Sequence, residues 1–337
     1  MIAPRVSRVR VALIGAGDHG VRSVVSAVAM LPGWDVVAIV DPDETARQRA
    51  QALAPRAQVV PALHRLADAL VPLDAAPDLV VLATPPAITP ALLRDTLAHP
   101  VFARAAVLVE KPGGLTPDAL QPCGTAATGR AAPVHVAYRY RHHATVRAFQ
   151  RIAAAEGDLR VLSLTFHAPF TVQGWRTARA TGGGALRDLG VHLLDLARTL
   201  MPGPWVLEDA TFRSHATEHD DVRLRYRTAS GVINLHSAYH GRPTFALDAT
   251  GRAGRVSCDL WRRTIPSRTP IGALWSGAST ALLPTRRAGA MLRQSYAATM
   301  RQALSSAHAS PPHAPSATLD DAIAVLALIA DAEHHHA

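Results

Sequence analysis

The sequence predicts an α/β chain of two domains. An amino-terminal doubly wound parallel sheet spans residues 1–125, and an α/β domain with an open, mostly antiparallel sheet spans 126–337. Three observations carry this. Short β-branched apolar runs alternate with helix-period segments in the first part; longer alternating runs joined by tight-turn signals fill the second; and 337 residues, 48% hydrophobic, suffice for two cores.

The apolar run Val9 to Ile14 reads as a buried strand, Gly15 to Gly20 as a turn and Val21 to about Leu31 as a helix. Asp35 to Val40 is a second strand ending at Asp41, followed by a helix from Asp43 to Leu53. Leu79 to Ala83 and Val107 to Val109 are further strands, separated by a helix over Ala91 to Ala98. Strands of continuous apolar character between helices are those of a parallel sheet covered on both faces.

A strand at Val134 to Tyr140 and a helix at Ala144 to Ala155 lead into the second half. There Arg160 to His167, Val222 to Tyr226, Val232 to Tyr239, Phe245 to Thr250 and Arg255 to Leu260 alternate with period two, linked by turns such as Ala229-Ser230-Gly231 and Gly251 to Gly254. A helix from about Ala185 to Leu200 interrupts them. Arg262 to Leu283 is irregular, helices follow at Met291 to Ser305 and Leu319 to Glu333, and a Pro-rich stretch at Ser310 to Pro315 lies between them.

Composition narrows the function classes. The net charge of +9 raises nucleic-acid binding, but the arginines are scattered, no basic run occurs and aromatic residues are only 5%, so a solvated basic surface is expected. Cys123 and Cys258 fit neither a disulfide framework nor a zinc spacing; no metal is expected, and a reducing cytoplasm fits. The longest apolar run, Ala322 to Ala330, is half a membrane span. The expected partner is a small molecule, not nucleic acid or a membrane.

The turn Gly15-Ala16-Gly17-Asp18-His19-Gly20 follows a strand and opens a helix, and Asp41 closes the next strand. Gly15 permits the tight turn, Gly17 lets the backbone approach a pyrophosphate, and Gly20 allows close helix packing. Asp18 and His19 sit where the helix amino terminus offers amides to an anion. Asp41 would accept hydrogen bonds from adenosine ribose hydroxyls and repel a 2′-phosphate, so NAD is preferred; Arg47 and Arg49 nearby leave NADP open.

Lysine and arginine total 35, and Lys111 is the single lysine. Glu110-Lys111-Pro112 lies at the carboxyl end of the strand Val107 to Val109, where open parallel sheets place ligands. Guanidinium stays charged, whereas a partly buried ammonium exchanges protons, so the one position that keeps lysine points to proton chemistry. A second cluster, Gly182-Gly183-Gly184 followed by Asp188 and His192, puts a carboxylate and an imidazole at i and i+4 on one helix face. An Asp beside a His favours the imidazolium, and an imidazole suits the task of taking an alcohol proton. Asp195 is expected to support the helix or pair with Arg198.

Taken in this order, with Ala83-Thr84-Pro85-Pro86 between them, these clusters resemble the glucose–fructose oxidoreductase / inositol dehydrogenase (Gfo/Idh/MocA) family over nearly the whole chain. The resemblance implies an amino-terminal Rossmann domain, and a carboxyl-terminal sheet through which the chain forms a dimer or tetramer. It implies NAD(P)-dependent hydride transfer at a carbinol or carbonyl carbon of a sugar, cyclitol or related polyol. Lys111 and His192 would contact the reacting oxygen, with Asp188 orienting them; Glu110 would lie near the nicotinamide ribose, Thr84 and Pro85 would border the cofactor, and Lys111-Pro112 is a candidate cis peptide. Tyr138, Arg141, Trp175 and Arg176 resemble substrate-facing positions. The chain departs from the family at Ala87-Ile88-Thr89-Pro90, where a histidine is common, and at His99 to Ala106, which lacks a usual glycine. The resemblance leaves open a reductase of a non-sugar metabolite or imine, and a regulator that binds cofactor without turnover.

Overall fold

The structure, a computed structural model, describes residues 8–70, 76–169, 172–261, 264, 267–270, 286–305 and 316–336. Two compact units emerge, one of Met1–Arg139 with Leu292–Ala322, the other of Tyr140–Met291 with Ile323–Ala337. Among the described residues no helix is long and apolar enough to cross a membrane.

The first unit is built on six parallel strands, β1 (Val9–Ile14), β2 (Trp34–Val40), β3 (Gln58–Val60), β4 (Leu79–Leu82), β5 (Ala106–Val109) and β6 (Val134–Val136). Their order is β3-β2-β1-β4-β5-β6, the doubly wound arrangement whose strand order reverses beside β1. The all-apolar runs of β4 and β5 are buried along their whole length, as helices on both faces demand. Each such leucine or valine contributes about 1.5–3 kcal/mol relative to exposure. Asp43 caps the helix Glu44–Leu53 by accepting from the Ala46 amide at 2.7 Å.

The core also takes Tyr296, Ala297, Met300 and Ala303 from the helix Arg286–Ser305, which packs its apolar stripe against Val11, Leu13, Val81 and Leu108. Ala317 then accepts from the Val136 amide at 2.8 Å, beside the edge strand β6. The chain thus returns to its first sheet after completing the second.

The second unit carries β7 (Val161–His167), β8 (Val206–Arg213), β9 (Asp221–Arg227), β10 (Val232–Ala238), β11 (Thr244–Thr250), β12 (Gly254–Asp259) and β13 (Ser267–Pro270). They are ordered β13-β12-β11-β7-β10-β9-β8, antiparallel at every pairing except β7 with β10. The segment Leu186–Leu200 packs on β7 and β10, burying Leu193, Leu194 and Leu196. Arg187 closes a bidentate pair on Glu333 of the terminal helix Leu319–His336, at 2.8 and 2.7 Å.

Several local expectations change. The strand expected over Val134 to Tyr140 stops at Val136. The Tyr138 and Arg139 amides bond two residues back, to Val136 and Ala137, and the chain enters a 3-10 turn at Arg139–His142. β3 and β8 show no alternating pattern in the sequence because they are edge strands, one only three residues long and the other only partly covered. The helix Pro117–Ala127 is masked in sequence by Pro122 and Gly124, and its start is set by the Thr116 cap and Pro117. The irregular segment read over 262–283 lies outside the described residues, Thr264 and β13 excepted, and so does the Pro-rich stretch at 310–315.

Candidate active site

In the first unit the glycine turn emerges from β1 and runs into a wide π-type turn at Gly20–Val25. Gly15 has φ +95°, and a Cβ on Gly20 would meet the Gly15 carbonyl oxygen at 2.2 Å, so side chains are excluded at both. A Cβ on Gly17, by contrast, would meet nothing within 4 Å. Tight packing behind and open space in front is the shape a pyrophosphate cradle needs, and the chain fits a dinucleotide there.

Asp41 is part of the same construction. Its carboxylate accepts from the Ala16 amide at 2.7 Å and from the Asp43 amide at 2.8 Å, tying the glycine turn to the end of β2. Arg47 donates to the Asp41 and Pro42 carbonyls at 2.9 and 2.8 Å, and Arg49 to Asp18 at 3.1 Å. Thr84, just beyond β4, shares a hydroxyl bond of 2.8 Å with Thr89, which also donates to the Pro85 carbonyl at 2.9 Å. Thr89 therefore braces the Thr84-Pro85 loop in the segment that departs from the family pattern.

Glu110 leaves the end of β5 and is 8% exposed. His19 Nε2 lies 2.9 Å from its Oε1, and the buried Tyr296 lies close enough to act on it. Burial alone would push this carboxyl up; the neighbouring His19, the Arg139 guanidinium and the Tyr296 hydroxyl outweigh it and hold the carboxyl down at about 2. Lys111 follows directly, and its peptide to Pro112 is cis. Sequence reasoning missed Tyr296, because nothing local marks a tyrosine on a distant helix as a neighbour of Glu110.

In the second unit Asp188 and His192 are both buried, at 6% and 3% exposure, on the segment that starts with a π-type turn at Leu186–Gly190 and continues as the helix Val191–Leu200. Asp188 accepts from Arg176 Nε at 3.1 Å, and Tyr239 shares its single hydroxyl hydrogen between the Gly184 carbonyl at 3.1 Å and Asp188 Oδ2 at 3.3 Å. Burial and then the Asp188 charge push the Tyr239 hydroxyl well above its usual range, so it remains a donor. Arg176 also covers the Trp175 ring, 4.4 Å from its centroid. The His192 ring meets Tyr140 edge-on at 4.7 Å and tilts against Phe166 at 6.4 Å.

A Cβ on Gly183 would lie 2.4 Å from the Arg176 carbonyl oxygen, so the glycine loop lets the backbone carrying Arg176 fold onto the helix start. Tyr138 is buried in the first unit. Arg141 is buried in the second and holds Asp195 through Nε, at 3.0 Å to both oxygens, and through a guanidinium nitrogen. Asp195 therefore pairs with Arg141, across the sequence, in place of the expected Arg198 on its own helix.

These features have counterparts in known proteins. The GenD2 structure from gentamicin A biosynthesis, in complex with NAD, superposes with a TM-score of 0.78 at 24% identity, covering 98% of this chain and 94% of that one. A myo-inositol dehydrogenase from Corynebacterium glutamicum superposes with a TM-score of 0.73 at 22% identity, covering 97% and 96%. KijD10, a 3-ketoreductase from Actinomadura kijaniata in complex with NADP and TDP-benzene, gives 0.73 at 19%, covering 96% of each chain. A search of curated protein sequences returns no match. Residues 9–138 match the profile of the oxidoreductase family with an NAD-binding Rossmann fold, and residues 146–257 match the GFO/IDH/MocA carboxyl-terminal domain. Turn, strand order and both profiles agree, and the chain belongs to the GFO/IDH/MocA family of NAD(P)-binding oxidoreductases.

Proposed function

We propose that the chain interconverts a secondary alcohol and a ketone on a sugar, cyclitol or related polyol, with NAD as the preferred cofactor. The observation that carries this reading is the buried Asp188 and His192 set on one helical segment, with Arg176 and Tyr239 fixing the carboxylate. A polyol site needs a fixed proton acceptor more than it needs apolar contact. The relatives support the bond class: a myo-inositol dehydrogenase and a 3-ketoreductase catalyse opposite directions of one carbinol–carbonyl exchange.

The nicotinamide, when bound, supplies the hydride acceptor or donor. His192 takes the hydroxyl proton in oxidation and returns it in reduction, and Asp188, held by Arg176 and Tyr239, supports the charge on that imidazole. Lys111 stabilises negative charge developing on the reacting oxygen. Glu110 and the Thr84-Pro85 loop border the cofactor; Trp175 and Arg176 face the substrate, while Tyr138 and Arg141 shape its surroundings from within the fold. Asp41 favours NAD, and the engagement of Arg47 with main-chain carbonyls and of Arg49 with Asp18 supports this, since neither guanidinium is held ready for a 2′-phosphate. The carboxyl-terminal sheet serves as the surface of a homodimer or tetramer.

Fluorescence titration with NADH and NADPH, then a turnover panel of sugars, nucleotide sugars and inositols, tests the reading. NADH should bind more tightly, and His192→Ala and Lys111→Ala should each lower kcat by on the order of 10²- to 10⁴-fold with NADH binding retained. Preference for NADPH would overturn the role of Asp41. Full turnover of an accepted substrate by either variant would overturn the catalytic assignment.

A further inference from the structure

At one end of the second sheet, four histidines gather around two adjacent aspartates. His215 comes from the β8–β9 loop, His236 from β10, His240 from the turn after β10 and His167 from the end of β7. Asp220, the last residue of the loop before β9, and Asp221, the first of β9, are 2% and 5% exposed. His215, Asp220 and His240 each offer a ligand atom, all within 4.8 Å of one another. Asp221 Oδ2 lies 3.2 Å from His240 Nε2 and 4.0 Å from His215 Nε2.

We propose that His215, His240, Asp220 and Asp221 form a site for a divalent transition-metal ion of the zinc class. Two imidazoles and two carboxylates suit Zn²⁺, a borderline ion that takes nitrogen and oxygen donors in four-coordinate, tetrahedral structural sites. A tetrahedral ion with bonds of about 2.0–2.2 Å spaces its ligand atoms roughly 3.4 Å apart, so the group closes by on the order of 1 Å. His215 and His240 are half-exposed and free to make that adjustment, while the carboxylates are anchored.

The anchoring is specific. Asp220 accepts from the amides of His215, Ala216 and Thr217 at 2.9, 2.6 and 2.9 Å, which curls the loop so that His215 returns to the carboxylate. Asp221 Oδ1 is fixed by His236 Nε2 at 3.0 Å, and His236 Nδ1 lies 3.0 Å from His167 Nε2. One tautomer of each ring satisfies this chain, with His167 donating to His236 and His236 to Asp221. Supporting bonds of this kind orient the ligands of metal sites.

The ion would clasp the β8–β9 loop to the turn that follows β10. Tyr239 sits within that clasp: its amide donates to the Asp220 carbonyl at 2.9 Å and its hydroxyl reaches Asp188. Metal binding therefore rigidifies a residue that positions Asp188, without the metal touching the reacting atoms.

The test uses the full chain, stripped with chelator, in a background carrying His334→Ala, His335→Ala and His336→Ala so that the terminal histidines do not compete. Zn²⁺ titration with a metal count should give one equivalent. Co²⁺ should give the intense visible bands of four-coordination, and hydrogen exchange should slow in residues 214–220 and 239–242. His215→Ala and His240→Gln, both at half-exposed positions, should each weaken binding at least tenfold, whereas His64→Ala in the first unit should not. Absence of binding at micromolar metal, or equal affinity in either site variant, overturns the proposal.

Discussion

Replacing Glu110 by glutamine removes the charge around which His19, Arg139 and Tyr296 are arranged, while keeping a hydrogen-bonding group of the same length. The carboxyl is held at about 2 in the fold, against an ordinary value of 4.5. Because the folded value is depressed, the stabilisation is fully present above pH 4.5 and is lost as the pH falls through the interval down to about 2. The gap corresponds to roughly 3 kcal/mol at neutral pH. Hydrogen exchange of the amides in β4 and β5, measured without cofactor, reads the opening of the first unit directly. The variant should exchange on the order of 10² times faster than wild type at pH 7, narrowing to about tenfold at pH 3 after correction for intrinsic rates. Equal protection at pH 7, or a difference undiminished at pH 3, would refute the argument that the ionised carboxylate is what stabilises this cluster.

Three further outcomes follow from the geometry. Gly20→Ala places a methyl against the Gly15 carbonyl and should reduce NADH affinity at least tenfold in a fluorescence titration, with hydrogen exchange in β7 and β10 unchanged. Arg141→Ala removes the bidentate partner of the buried Asp195 carboxylate and should cost about 3–5 kcal/mol of unfolding free energy, read from exchange in the helix Val191–Leu200; a loss below about 1 kcal/mol would show that the pair is dispensable. Asp41→Ala deprives the Ala16 amide of its acceptor, at about 1–3 kcal/mol, and should narrow the NADH-to-NADPH affinity ratio; an unchanged ratio would remove Asp41 from cofactor selection.

The cofactor unit was largely legible because its signals are local. A tight turn between a buried strand and a helix requires glycine at particular positions, and continuous apolar runs can be satisfied only in a covered sheet, so Gly15, Gly20, β4 and β5 carry their structure in their own composition. The helical segment bearing Asp188 and His192 was legible for the same reason, although its π-type first turn was not. The edge strands β3 and β8 were not legible, since one is only three residues long and neither has a buried face regular enough to give a period.

By itself the sequence determined that this is a two-domain α/β chain with a dinucleotide turn, a lysine at a strand end and an acid–imidazole helix, each set by residues within a few positions of one another. Only the tertiary structure decided their partners: His19 on Glu110, Tyr239 and Arg176 on Asp188, Arg141 on Asp195, and four histidines around Asp220 and Asp221. Burying a polar group is costly until a second group meets it, and which group does so depends on where distant helices and strands pack, a relation that no local pattern encodes.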